Sequence, residues 1–129
     1  MKAYKFDKEK YITKGIYETL SAELTIYLWS LIEDLKKEGI SLDYLQVFEL
    51  SQESKDTLQV VHSQEIPPYK KVHKIQVQES IKESANEKIR GKVFVIDDIT
   101  HATMLMDYEY YKTALGSRLV KGMLMQLET

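Results

Sequence analysis

Cysteine is absent from this chain, which rules out disulfides, thiol catalysis and every zinc site built on sulfur. Two prolines and five glycines in 129 residues leave little room for a disordered linker. No apolar run approaches the ~18 residues a membrane-spanning helix needs. The opening MKAYKFDKEK is charged and lacks the apolar core of a secretory signal. The expected setting is therefore the cytoplasm, with no membrane partner. Charge of one sign is not in excess either, since 18 basic and 20 acidic residues leave a formal net charge of -2. No internal repeat is visible, and no catalytic, metal or nucleotide motif stands out, so no cofactor is implied.

What remains is the make-up of one ordinary globular domain, 43% hydrophobic and 29% charged, long enough to bury a core without staples. The charges are unevenly spread. Residues 1–14 are net basic, residues 15–69 strongly acidic, and residues 70–92 basic again through Lys70, Lys71, Lys74, Lys82, Lys88, Arg90 and Lys92. Such a chain can present one acidic and one basic face, although solvated surface charge is the ordinary use of such residues.

The clearest periodicity lies in SAELTIYLWSLIEDLKKEG, residues 21–39. Leu24, Tyr27, Leu28, Leu31, Ile32 and Leu35 form one apolar stripe at helical spacing. Ser21 is the expected N-cap, Glu23 suits the first turn, Lys36 and Lys37 suit the last, and Gly39 can take the left-handed C-cap. A helix this short is marginal alone, so the rest of the chain is expected to cover its stripe.

Around it the sequence predicts strands. YITKGIYETL, residues 11–20, is rich in β-branched and aromatic residues, and Gly15 within it signals a bulge or a close backbone approach. Tyr44 to Leu50 carries apolar side chains on both faces and so belongs mid-sheet, and Thr57 to Glu65 follows it as a hairpin partner. Ile66-Pro67-Pro68-Tyr69 stops that strand. Lys70 to Gln78 alternates and bears edge lysines, and Lys92 to Ile96 is the most apolar strand. Residues 79–89 read as a loop or one short helix. His101 to Tyr110 is expected as a strand, with a helix ending at Gly116 as the alternative. The tail 117–129 places Leu119, Val120, Met123, Leu124 and Leu127 on one helical face.

The expectation is an α+β domain over residues 11–116: an antiparallel sheet of about five or six strands with one main amphipathic helix on a face. A flexible arm over residues 1–10, which Tyr4 and Phe6 can pin to the body, precedes it. The amphipathic tail 117–129 follows, as a short C-terminal helix. Four pieces in this order, YITKGIYETL, DYLQVFEL, EIPPY and VIDDITHATMLMDYEY, resemble a family of small Firmicute proteins first described in staphylococci, catalogued as domain of unknown function nine-sixty. The resemblance spans Tyr11 to Tyr110 and implies no activity. It suggests a Gram-positive source and a setting near phage or other mobile-element genes, with the C-terminal tail as an extension.

Among residues that can carry chemistry, Asp97, Asp98 and His101 sit together at a strand end, with His62 and His73 elsewhere. Carboxylate and imidazole there can bind Zn, Mn or Fe, or move protons. Adjacent aspartates are also ordinary turn chemistry, so no metal, catalytic or cofactor-binding residue is assigned and an enzyme is not expected. Trp29 and Ile26 lie off the helix stripe and, with Tyr108 and Tyr110, are candidate partner contacts, covered by the tail or by a second copy in a homodimer. Met104, Met106, Met123 and Met125 suit core filling. Tyr69, Tyr108, Tyr110 and Tyr111 beside lysines can stack bases, which with Lys70, Lys71, Lys74, Lys88, Arg90 and Lys92 gives nucleic acid as the alternative partner. The leading expectation is a non-enzymatic module acting by protein–protein contact.

Overall fold

The computed structural model describes residues 4–76 and 90–113, with side chains followed as far as Tyr110. Its elements in order are β1 (Glu9–Ile12), α1 (Lys14–Thr19), α2 (Ala22–Lys37), β2 (Leu45–Gln52), β3 (Thr57–Gln64), β4 (Tyr69–Gln76), β5 (Arg90–Asp97), β6 (His101–Met106) and α3 (Asp107–Thr113). The six strands form one sheet in the order β1-β6-β5-β2-β3-β4. All neighbours are antiparallel except β1, which runs parallel to β6, so the sheet is mixed rather than purely antiparallel. β2 lies mid-sheet and β4 at an edge, as their patterns require.

The central helix forms as its sequence dictates. The Ser21 hydroxyl accepts from the Leu24 N–H at 3.1 Å, Glu23 lies in the first turn, and Gly39 closes the end at φ 80. Its buried residues Leu24, Leu28, Leu31, Ile32 and Leu35 share one core with Phe48 and Leu50 of β2, Leu58 and Val60 of β3, Val93 and Val95 of β5, and Met104 of β6. Alternation in the strands sends these side chains to the α2 side, here called the inner face. The outer face is covered over β5 and β6, where Phe94 and Leu105 are buried and Tyr110 of α3 meets the Phe94 ring edge-on at 5.4 Å.

Three expectations are corrected. Residues 11–20 are not one strand: β1 ends at Ile12, and Thr13 caps α1 by accepting from the Ile16 N–H. Tertiary packing overrides the β-branched propensity here, since Ile16 and Leu20 are buried only if the chain turns into a helix. The stretch from His101 is a strand to Met106 and a helix from Asp107, so each reading held for half of it. The first ten residues are pinned rather than loose from Tyr4 onward. Phe6 is 1% exposed, the Tyr4 ring lies 5.9 Å from that of Tyr44, and β1 begins at Glu9. The expected loop or helix over 79–89 and the tail helix over 117–129 lie outside the described residues.

Two buried carboxylates fix the N-terminal segment. Asp97 accepts from the Phe6 N–H at 2.9 Å and from the Ile99 N–H at 2.8 Å. Glu109 accepts from the Thr13 hydroxyl, from the Gly15 N–H at 3.1 Å and from the Met106 N–H at 2.8 Å. The close approach signalled by Gly15 is this one, because a Cβ there would stand 2.6 Å from the Glu109 carboxyl carbon. Gly15→Ala is therefore expected to destabilise the fold by about 2 kcal/mol, and Glu109→Ala by about 3 kcal/mol through donors left unpaired. The two costs should not add, because alanine at 15 has room once Glu109 is truncated. Urea unfolding of the two single variants and the double variant checks this; additive losses would contradict the contact.

Candidate functional site

The Asp97-Asp98-x-x-His101 constellation is a turn. Asp98 Oδ1 accepts from the Thr100 N–H at 2.9 Å, the Thr100 hydroxyl at 2.6 Å and the His101 N–H at 2.9 Å, while the Asp98 N–H donates to the His101 carbonyl. Partial burial raises the Asp98 carboxyl pKa, but these donors and nearby His101 outweigh it, and the net shift is downward. His101 Nε2 lies 3.4 Å from Asp98 Oδ2, and the His101 ring meets Tyr11 edge-on. Asp97, one residue away, is spent on Phe6 and Ile99. Among the described residues, no group of three histidine or acidic side chains is arranged to hold a metal.

The three histidines do not converge. His101 is on β6 beside β1, while His62 and His73 lie on β3 and β4, two and three strands beyond β5. His62 and His73 share the inner face, His73 standing opposite Val60 and His62 opposite Lys71. His62 is fully buried, stacked on Phe48 at 4.4 Å and edged by Tyr69. Its Nε2 meets Gln46 Oε1 at 2.7 Å, and the Gln46 amide in turn donates to Gln64 Oε1 at 2.7 Å. An amide oxygen only accepts, so the proton is assigned to Nε2, and Nδ1 is left without a partner. Burial, reinforced by the neighbouring His73, lowers the His62 pKa to about 4. His73 is lowered too, by burial first and then by Lys71, against the opposing pull of Asp34 and Glu38.

The cations divide between the two faces. Lys70 and Lys74 of β4 and Arg90 and Lys92 of β5 share the outer face, because each alternates with an inward side chain. Lys71 points to the inner side and lines a cleft beside α2, and Lys88 lies outside the described residues. Among the outer cations lie three valines, Val72 opposite Val61 and Val47 diagonal to it, of which Val47 and Val61 are half-buried and Val72 is 53% exposed. At one end of this face a groove of about 310 Å³ is lined by Tyr44, Leu45, Val47, Ser63 and Ile66. Its wall is fixed, because Asp43 Oδ2 accepts from the Glu65 and Ile66 N–H groups at 3.2 and 3.0 Å. No alternation rule singles out this groove, since Tyr44 and Ile66 are loop residues; their exposure, 45% and 75%, comes from the turn geometry.

The aromatic candidates are scattered. Tyr69 faces inward against His62, and Tyr110 is spent on Phe94. Tyr108 is exposed on α3. Trp29 is half-buried against the core with the Lys10 ammonium 5.8 Å from its ring centre, and Ile26 is 66% exposed on α2. Ile26 and Trp29 therefore lie in the helix layer and Tyr108 and Tyr110 across the sheet from it, so the four make no single patch. Coverage of the first pair by the tail lies outside the described residues.

The family model described as a staphylococcal protein of unknown function (DUF960) matches residues 9–109. The chain belongs to this family. The DUF960 match opens at the first residue of β1 and closes at Glu109 in α3. The DUF960 fold has a solved counterpart in the crystal structure of a protein of unknown function from Enterococcus faecalis. That protein is 25% identical, with 84% of this chain and 96% of that chain covered and a TM-score of 0.59. No curated protein matches the chain. Among the described residues no helix is long and apolar enough to cross a membrane.

The buried imidazole gives a signed pH dependence. With a folded pKa of about 4 below the ordinary 6.5, His62 takes up a proton more readily in the unfolded chain. Stability is full above pH 6.5 and is lost as pH falls from 6.5 through about 4, a contribution on the order of 3 kcal/mol. Proton NMR of the ring should show His62 neutral down to about pH 4, and titration near 6.5 would contradict the buried placement.

Proposed function

We propose that this DUF960 protein is a non-enzymatic interaction module that presents the bare outer face of β2, β3 and β4 to an acidic protein partner. The observation that carries the reading is Val72: it sits mid-strand and 53% exposed, directly opposite Val61 with Val47 on the diagonal, and no described element lies across it. A sheet face left open with apolar side chains is a surface for association. Lys70, Lys74, Arg90 and Lys92 flank these valines, with Glu49 between them and Lys74 held by Glu53 at 3.3 Å. The groove beside Tyr44 and Ile66 accepts an apolar anchor, and the cations accept carboxylates. An isologous pairing of two copies through this face would set the four cations against one another, which favours a different partner over a homodimer.

One observation favours nucleic acid as a second reading, namely that these four cations share a face. The stacking surface such binding uses is not formed there, because Tyr69 faces inward and Tyr110 packs on Phe94. Affinity capture from the native host with wild type and with Val72→Glu separates the readings. A protein partner should be retained by wild type, resist nuclease, and bind Val72→Glu and Lys70→Glu/Lys74→Glu at least about tenfold more weakly, with melting unchanged. Equal capture by all three would overturn the proposal. A gel shift that weakens steeply with salt would replace it with the nucleic-acid reading.

A further inference from the structure

On the other side of β4, where its inner face meets the last turns of α2, lies an open cleft of about 260 Å³. Its floor is Leu31, Tyr69 and His73, and its rim carries Asp34, Lys37 and Glu38 from α2 and Lys71 from β4. Asp34 and Glu38 are four residues apart, so their carboxylates stand on one side of the helix. They also stand at its C-terminal end, where the helix dipole adds negative potential. Lys71 approaches from the strand. Among the described residues none of the four charged side chains forms an ion pair or a hydrogen bond, although they line one cleft. The opposite charges are thus held apart rather than spent on each other.

The groups feel one another nonetheless. Burial first, then Glu38 and Asp34, raise the Tyr69 pKa, and His73 is pulled in opposite directions by Lys71 and by the two acids. The His73 Nε2 is shielded from solvent and has no hydrogen-bond partner. A ligand for this cleft must carry both charge signs a short distance apart, with an apolar part for the floor. A phosphorylated compound would meet two carboxylates, and a diamine would meet two ammonium groups. A divalent cation would find no set of three ligands among the described residues.

We infer that the cleft between α2 and β4 binds a free α-amino acid with an apolar side chain, its ammonium between Asp34 and Glu38, its carboxylate toward Lys71, and its side chain on Leu31 and Tyr69. The site is separate from the outer face and does not rest on the interaction reading. It sits at the far edge of the core from the Glu109 clamp, where the rim residues Asp34, Glu38 and Lys71 are exposed and can be changed without disturbing packing.

The test is an NMR titration of the full chain with L-leucine, L-methionine and L-phenylalanine, each to about 10 mM, with propylamine and propionate as single-charge controls. At least one amino acid should saturate, moving the His73 ring and Lys71 amide signals, while neither control does. Lys71→Met, and Asp34→Asn with Glu38→Gln, should each weaken binding at least about tenfold without changing the melting temperature. No saturable shift from any of the three amino acids would overturn the inference. So would a control that binds as well as the amino acid, or variants that bind like wild type.

Discussion

The arrangement of layers depends on two carboxylates that grip the N-terminal segment on either side of β1. Asp97 takes the Phe6 N–H before the strand, and Glu109 takes the Thr13 hydroxyl and the Gly15 N–H after it. A parallel edge strand of four residues has few ladder bonds of its own, and such edges fray. Carboxylates that accept main-chain donors in a buried setting bind more strongly than neutral acceptors. Held there, the chain enters α1 beside β6, and α2 then lies on the inner face with Tyr27 6.5 Å from His73 of β4 and the Trp29 ring 5.8 Å from the Lys10 ammonium of β1. Both the second turn of α2, at Tyr27, and its last turns, at Asp34 and Glu38, lie beside β4.

The rest follows from that placement. Once α2 occupies the inner face, Phe48, Leu58, Val60 and Val95 are buried against it, and the polar network of His62, Gln46 and Gln64 closes the core beside β4. The short α3 lies on the β5 and β6 side of the outer face, with Tyr110 on Phe94. Among the described residues nothing lies across Val72 of β4, and Val47 and Val61 beside it are half-buried, with cations around them. The helices leave two places uncovered among the described residues, the outer face around Val72 and the cleft at the end of α2.

Much of this could be read from residues. The stripe from Leu24 to Leu35, the Ser21 cap and the Gly39 stop specify α2 because local signals and tertiary packing agree there. The mid-sheet place of β2 and the edge place of β4 follow from apolar content and lysines. The path of residues 13–20 was not legible, because what turns the chain at Thr13 is a carboxylate 96 residues away. Glu109 itself lies in a run of tyrosines and carries no mark of burial. The turn reading of Asp97 and Asp98 was available, but the buried role of Asp97 was not, because Phe6 reaches it across 91 residues. The candidate lysines split between faces for a reason the alternation does show: Lys70 and Lys74 are even positions, and Lys71 is odd.

The central claim is that the two carboxylates make β1 as much a part of the body as the strands of the core. Amide hydrogen exchange on the full chain at neutral pH tests it most directly. The N–H groups of Phe6 and Gly15 are expected to exchange only with global unfolding, as slowly as that of Phe48 in β2. Exchange of Phe6 and Gly15 orders of magnitude faster than Phe48, as from a frayed terminus, would contradict it.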